Sequence, residues 1–446
     1  MPSTYIQRTP SGGNRKKWTW SAWIKLSDVT AGNRYPFSAY VGSNNTGYFA
    51  SYLHTDSKLT LQGWNIQFLK TTRVFRDPTA WYHIVIVMDT AQATAANRLK
   101  IYVNGLEETA FDTDNRSSIS QDSDMGYNSN GIHTIGGYQS SGSANAGFDG
   151  IMSHVHFTDG YAYTPSAFGE TDAATGEWKI NTTPSVSYGT TGYWIFKDDA
   201  GVTDQSPNSN NWTASGTLTS TKDCPSNIFA TLNSLNVPTS NAPTFSLGNT
   251  KTITMNTDPG YFGGTTTLGA SSGKYYAEIK ITDNNGVGAV GITFDPAEKA
   301  RQGTTFSAQI SDSFVYANNA KQYSSATGTS GSSYGNTYTD GDIIGIAMDL
   351  DNSKLYFSKN GTFQNSGDPT SGSTGTGAIS ITAGKTYFFY LTDVGGALAT
   401  YECNFGNGYF GTTAVSSAGT NASNNGVFEY DVPAGYTALS TKGLNL

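Results

Sequence analysis

What most constrains this chain is the spacing of its apolar residues. Helical periodicity is almost absent, and short strand-like runs bounded by Gly, Asn, Asp or Pro recur from end to end. WTWSAWIKL, Trp18 to Leu26, would put Trp18, Trp20, Ala22 and Ile24 on one face and Thr19, Ser21, Trp23 and Lys25 on the other. WYHIVIVMD, Trp81 to Asp89, is apolar on both faces, which predicts a central strand covered on both sides. RLKIYVNGLE, Arg98 to Glu107, runs into an Asn-Gly pair, and these residues tolerate the positive φ of a tight hairpin. The same design returns in DIIGIAMDLDNSKLYFSKNG, Asp342 to Gly361. The chain therefore reads as all-β, and an aromatic content of 13% equal to its charged content suits such strands.

A length of 446 residues allows two sandwiches, each with its own core. Between the two hairpin units lies a polar, turn-rich stretch punctuated by Pro207, Pro225, Pro238 and Pro243. The expected division is a first sandwich over residues 1–222, an ordered but irregular connector over 223–245, and a second sandwich over 246–446. TGTSGSSYGNTY, Thr327 to Tyr338, and SGDPTSGSTGTG, Ser366 to Gly377, read as surface loops.

Charge, cysteine content and hydropathy argue against several function classes. A formal net charge of -8 and no basic cluster longer than Arg15-Lys16-Lys17 argue against a nucleic-acid partner. Cys224 and Cys403 lie far apart and read as ordinary thiols, neither a disulfide framework nor a zinc site. No apolar leader opens the chain and no long apolar run interrupts it, so export and membrane insertion are not expected. No phosphate-binding loop is present, and no cofactor is expected.

At WTWSAWIK, WYHIVIVMD, LKIYVNG and FDGIMSHVHFTDGYAYTPSAFGE, roughly residues 15–200, the first half resembles the LamG-like jelly-roll domains of the concanavalin A-like superfamily. From Gly273 onward, KYYAEIKI, VGAVGITF, DGDIIGIAMDLDNSKLYFSKNG and YFFYL with YECNFG resemble the SPRY domain, also a concanavalin-like sandwich. The closing FEYDVPAGYTALSTKGLN, with NNWTASG and DCPSNIFATLN, resembles tailed-phage virion proteins that carry this module. The fold so implied is two concanavalin A-like antiparallel β-sandwiches in tandem. The resemblance further implies a virion structural protein assembled in the host cytoplasm, with other virion proteins as partners. A fold does not fix a function, so any chemistry has to reside in particular residues.

Glycanases of this superfamily hydrolyse with two carboxylates, and no E-x-D-x-x-E run occurs here. Asp122 with Asp124, Asp198 with Asp199, and Asp349 with Asp351 read as turn carboxylates. Gly331-Ser332-Ser333-Tyr334-Gly335 fits G-x-S-x-G by letter, but every His precedes it and no helix pattern follows, so it reads as a loop. His154 and His156 alternate on one strand and would need a third ligand such as His133 to hold a metal; the plainer reading puts them on the solvent side, opposite Val155 and Phe157. No catalytic residue and no metal site are assigned. A shallow glycan site needs only exposed aromatic rings with amide or carboxylate neighbours. The candidates are Tyr48, Tyr52 and His54, which share a face of GYFASYLH, with Trp64 and with Tyr138 in GGYQSSGS. The function expected is a non-catalytic one: loops displayed from a virion appendage for weak, repeated attachment to host glycans, in a homo-oligomer such as a trimer. The alternative is a capsid decoration or tail building block that contacts only virion proteins. No fibre-like heptad or triple-helical repeat is present, which favours a globular part.

Overall fold

The computed structural model describes residues 4–27, 32–140, 143–197, 201–238, 242–254, 262–284, 286–297, 306–393 and 399–445. It divides into two compact units, Met1–Ser220 and Thr221–Leu446.

The first unit runs through β1 (Tyr5–Arg8), β2 (Lys17–Leu26), β3 (Arg34–Tyr40), β4 (Tyr48–Leu53), β5 (Lys58–Gly63), β6 (Ile66–Val74), β7 (Trp81–Asp89), β8 (Leu99–Val103) and β9 (Leu106–Glu107). It continues through β10 (Phe111–Asp114), β11 (Ile132–Ile135), β12 (Gly137–Ser140), β13 (Ser143–Gly147), β14 (Gly150–Asp159), β15 (Gly169–Thr171), β16 (Trp178–Ile180), β17 (Tyr193–Ile195) and β18 (Thr213–Ser215). One eight-stranded sheet has the order β10-β6-β5-β4-β3-β11-β1-β18, and a six-stranded sheet has the order β17-β14-β2-β7-β8-β9. The alternation in β2 and β4 explains how they face each other: Trp18, Trp20 and Ile24 from one sheet meet Phe37, Phe49 and Leu53 from the other in a single core. Trp18 stands edge-on to Phe49 at 5.5 Å and Trp20 lies 4.5 Å from Phe37, both tryptophans fully buried. The Asn104-Gly105 turn takes φ of 48° and 81°, the left-handed pair that the hairpin requires.

The second unit has the same two-sheet plan. In its nine-stranded sheet Ile343–Asp349, buried along its whole length, lies between Lys274–Asn284 and Lys354–Lys359. Phe357 and Ile346 from this sheet pack with Val290, Phe389 and Tyr316 from the six-stranded one. The Asn360-Gly361 turn repeats the first unit's geometry at φ of 49° and 80°.

Two segments differ from what their polar composition suggests. Residues 223–245, expected as a connector, belong to the second unit, and Phe229 and Leu232 are buried in it. Within the stretch Thr327–Tyr338, Tyr334 and Tyr338 enter the core, where the Tyr338 hydroxyl donates to the carbonyls of Gly288 and Tyr316. Buried tyrosines with a satisfied hydroxyl outweigh the polar residues around them.

The closing segment covers the outward face of the nine-stranded sheet. Phe428, Val432 and Tyr436 pack on Tyr276 and Tyr356 there, and Thr437–Ala438 adds in parallel to Tyr275–Tyr276. Glu278, fully buried, fastens it by accepting the N–H groups of Glu429 at 2.8 Å and Tyr430 at 2.9 Å.

Candidate functional site

Because Phe49 and Leu53 enter the core, the period of two sends Tyr48 and Tyr52 to the opposite face of the eight-stranded sheet. The structure gathers every sequence candidate there. Tyr48 is 6.0 Å from Trp64 and 5.7 Å from Tyr138, and Tyr52 is 6.3 Å from His54. Two rings that sequence reasoning missed join the group: Tyr35, 5.1 Å from Tyr52 and 5.0 Å from Tyr138, and Tyr40, 6.5 Å from both Tyr48 and Trp64. Tyr40 carried a signal, since it alternates with the inward Phe37 and Ala39; Tyr35 lies where the register with β4 shifts, so counting alone misplaces it.

The rings do not share one exposure. Tyr48 and Tyr52 are only 2% and 3% exposed and form a floor, whereas Tyr35, Tyr40, His54, Trp64 and Tyr138 are half-buried and form the rim. Trp64 is carried on the β5–β6 turn, where Asn65 takes a φ of 55°. The hairpin that bears Tyr138 is tied to β3 by the Ser38 hydroxyl, which donates to Gly137 O at 3.0 Å. Gln67 Nε2 donates to the Tyr52 hydroxyl at 3.1 Å. Burial, followed by the neighbouring tyrosines, pushes the Tyr48 phenol upward, and burial raises Tyr35 to about 12. These phenols stay neutral and offer ring faces and hydroxyls rather than acid or base chemistry. At the far end His54 Nδ1 meets Asp56 at 3.1 Å and Lys70 meets the same carboxylate at 2.8 Å, so charge there is paired.

The remaining sequence candidates are placed elsewhere. His154 and His156 do lie on the side of β14 away from Phe157, but they are 8% and 2% exposed, not solvated. The segment from Gly160 to Tyr188 covers His156 through Phe168 and Tyr188. His156 packs between Trp194 at 4.9 Å and Phe168 at 5.1 Å. His133 sits on the other sheet with both ring nitrogens engaged: Asn128 N–H donates to Nε2 at 2.9 Å and Nδ1 bonds Gly131 O at 3.0 Å. Asp349 accepts from Asn352 and pairs with Lys274 at 3.0 Å, and Asp351 accepts the Gly273 N–H at 2.7 Å, so both serve turns. Asp122 sits in a turn at a φ of 57°, and Asp198 and Asp199 fall outside the described residues. Ser333 belongs to a two-residue strand, not a strand-to-helix elbow. Among the described residues no group of three His, Cys, Asp or Glu is placed to hold a metal.

Residues 3–167 match the family model of the concanavalin A-like lectin/glucanases superfamily, and residues 274–379 match that of the SPRY domain. The chain carries a LamG-like concanavalin A-like domain followed by a SPRY domain. Two solved structures are among those similar to parts of this chain. The heptameric SAP-like pentraxin of Limulus polyphemus is 20% identical over 36% of this chain and 71% of its own, with a TM-score of 0.27. The SPRY domain of human HERC1 is 18% identical over 32% of this chain and 80% of its own, with a TM-score of 0.23. A search of curated proteins found no match. The aromatic face lies wholly within the matched part of the LamG-like domain, whereas the match ends at residue 167, inside the segment that covers His156.

Proposed function

We propose that this chain is a non-catalytic glycan-binding protein of a tailed-phage virion, and that the outward aromatic face of its LamG-like domain holds the sugar. The observation that carries the glycan reading is the arrangement itself: half-buried Tyr40, Trp64 and Tyr138 around a fixed floor of Tyr48 and Tyr52. Ring faces suit the C–H faces of a hexose, and the hydroxyls and the Gln67 amide suit its oxygens. Such a contact is weak singly, so the reading includes a homo-oligomer that multiplies it, mounted among other virion proteins. The virion setting is supported by the resemblance of the closing segment Phe428 to Asn445 and by the pairing of the two domain types.

Calorimetric titration of the full chain against a panel of bacterial surface oligosaccharides tests the site. Trp64→Ala and Tyr40→Ala each remove a rim ring without touching the floor, and each should weaken binding about tenfold, the equivalent of about 1.4 kcal/mol. Unchanged affinity in both variants would remove the site, and a panel with no binder would remove the glycan reading.

A further inference from the structure

The outward face of the six-stranded sheet is covered by a strap, residues 160–188, that the glycan reading does not use. Its first end is held by the Thr19 hydroxyl, which donates to Tyr161 O at 3.0 Å and accepts the Tyr163 N–H at 2.8 Å. Its later half, up to its last residue, is fastened through histidine rings. Trp178 Nε1 donates to His83 Nδ1 at 2.9 Å, and the Tyr188 hydroxyl bonds His156 Nδ1 at 2.9 Å. An indole N–H can only donate, so His83 must present a bare Nδ1 and carry its proton on Nε2, which faces the Ser21 hydroxyl at 2.8 Å. A proton on Nδ1 would set two donors against each other. The indole of Trp178 also fills the space beside Gly105 and Gly169, where a Cβ would come within 2.5 and 2.6 Å of it.

We propose that this strap is a proton-released cover: it closes over neutral His83 and His156, and proton uptake by these rings lifts it and exposes the aromatic face beneath.

The surroundings of both rings oppose a proton. His83 is stacked between Trp23 at 4.9 Å and Trp178 at 5.9 Å, and burial holds it down to about 3. Burial, then the charges of His154, His83 and Lys197, holds His156 well below the ordinary histidine value. The other elements packed on these rings present Ser21 and Trp23 from β2, Trp194 from β17 and Phe168 from the strap, and Asn104 from the β8–β9 turn accepts the His83 backbone N–H. Asp204 acts on Tyr188, and Lys179 pairs with Glu170 and Asp172 on the strap's outward side. The covered layer also holds the indole N–H groups of Trp23 and Trp194, which are buried without a hydrogen-bond partner among the described residues. Water reaching this face satisfies them, which lowers the cost of opening.

A base depressed in the closed state and ordinary in the open state binds protons on opening. The closed state is therefore fully favoured above about pH 6.5 and loses ground as pH falls below it, by up to about tenfold per pH unit for each histidine. Amide hydrogen exchange of the full chain from pH 7.5 to 4.5, corrected for intrinsic rates, reads this directly. Exchange in residues 161–188 should rise at least tenfold between pH 6.5 and 5 while β2 and β7 stay protected. The double variant His83→Gln with His156→Gln, in which the amides keep hydrogen-bonding ability and cannot titrate there, should flatten the response. Trp178→Phe keeps the stacked ring but frees His83 Nδ1, and should move the opening to higher pH even if the double variant folds poorly. Strap exchange that ignores pH, core strands that open together with the strap, or a Trp178→Phe curve that does not move would each overturn the proposal.

Discussion

Replacing Glu278 by alanine should detach the closing segment of the SPRY domain. The carboxylate accepts from Glu429 N, Tyr430 N, the Tyr276 hydroxyl at 3.2 Å and Asn404 Nδ2 at 3.3 Å. Each buried donor left unsatisfied costs about 1–3 kcal/mol, and relaxation with water entry recovers part of that, so a loss of about 3–5 kcal/mol is expected. For a domain of this size that is a fall of roughly 10 °C in its melting temperature. The pH dependence supplies an independent sign. Burial outweighs the donors and pushes the Glu278 carboxyl up to about 7, so the folded domain binds this proton more tightly than the unfolded chain does. Its contribution is fully present below about pH 4.5, declines as pH rises, and levels off above about pH 7, a span of about 3 kcal/mol. Glu278→Gln keeps the shape, turns an NH2 group toward one of the donors, and should remove that pH window. Scanning calorimetry of the full chain from pH 4.5 to 8, with hydrogen exchange over residues 416–440 to locate the change, measures both effects. A Glu278→Ala protein whose closing segment melts and exchanges like the parent would refute the reasoning.

Trp20→Ala leaves a cavity where the two sheets of the LamG-like domain meet, and urea unfolding should show a loss of about 3–5 kcal/mol in that domain alone. His133, held down to about 4 by burial although its bond to Gly131 O pulls the other way, should reduce the stability of that domain as pH falls below 6.5. The loss is about 2 kcal/mol by pH 5, and a His133→Gln variant should show a correspondingly shallower acid limb in chemical denaturation.

Much of the architecture was legible because it rests on alternation and on turn chemistry. The two faces of WTWSAWIKL, the doubly covered strand at Trp81–Asp89 and both Asn-Gly hairpins follow from local rules, and the structure has each of them. The buried residues of the connector and of the Thr327–Tyr338 stretch were not legible for one reason. Their polarity is an average, while burial is decided by single side chains such as Phe229, Tyr334 and Tyr338 that find a partner far away in sequence.

The same limit explains the two outward faces of the LamG-like domain. Alternation states which side of a strand a residue occupies, and it placed Tyr48, Tyr52 and His156 on the sides where they are found. It cannot state what lies over that side, because the covering residue is set by a non-local return of the chain. Tyr138 returns over Tyr48 on a hairpin tied to β3, and Trp178 with Tyr188 returns over His83 and His156 on the strap. In the first case the cover leaves a rim of half-buried rings, which is why that face is read as a binding surface. In the second the cover is closed, and one of its fastenings, the Trp178 indole on His83, ends on a base that must stay unprotonated, which makes closure rather than contact the property open to control.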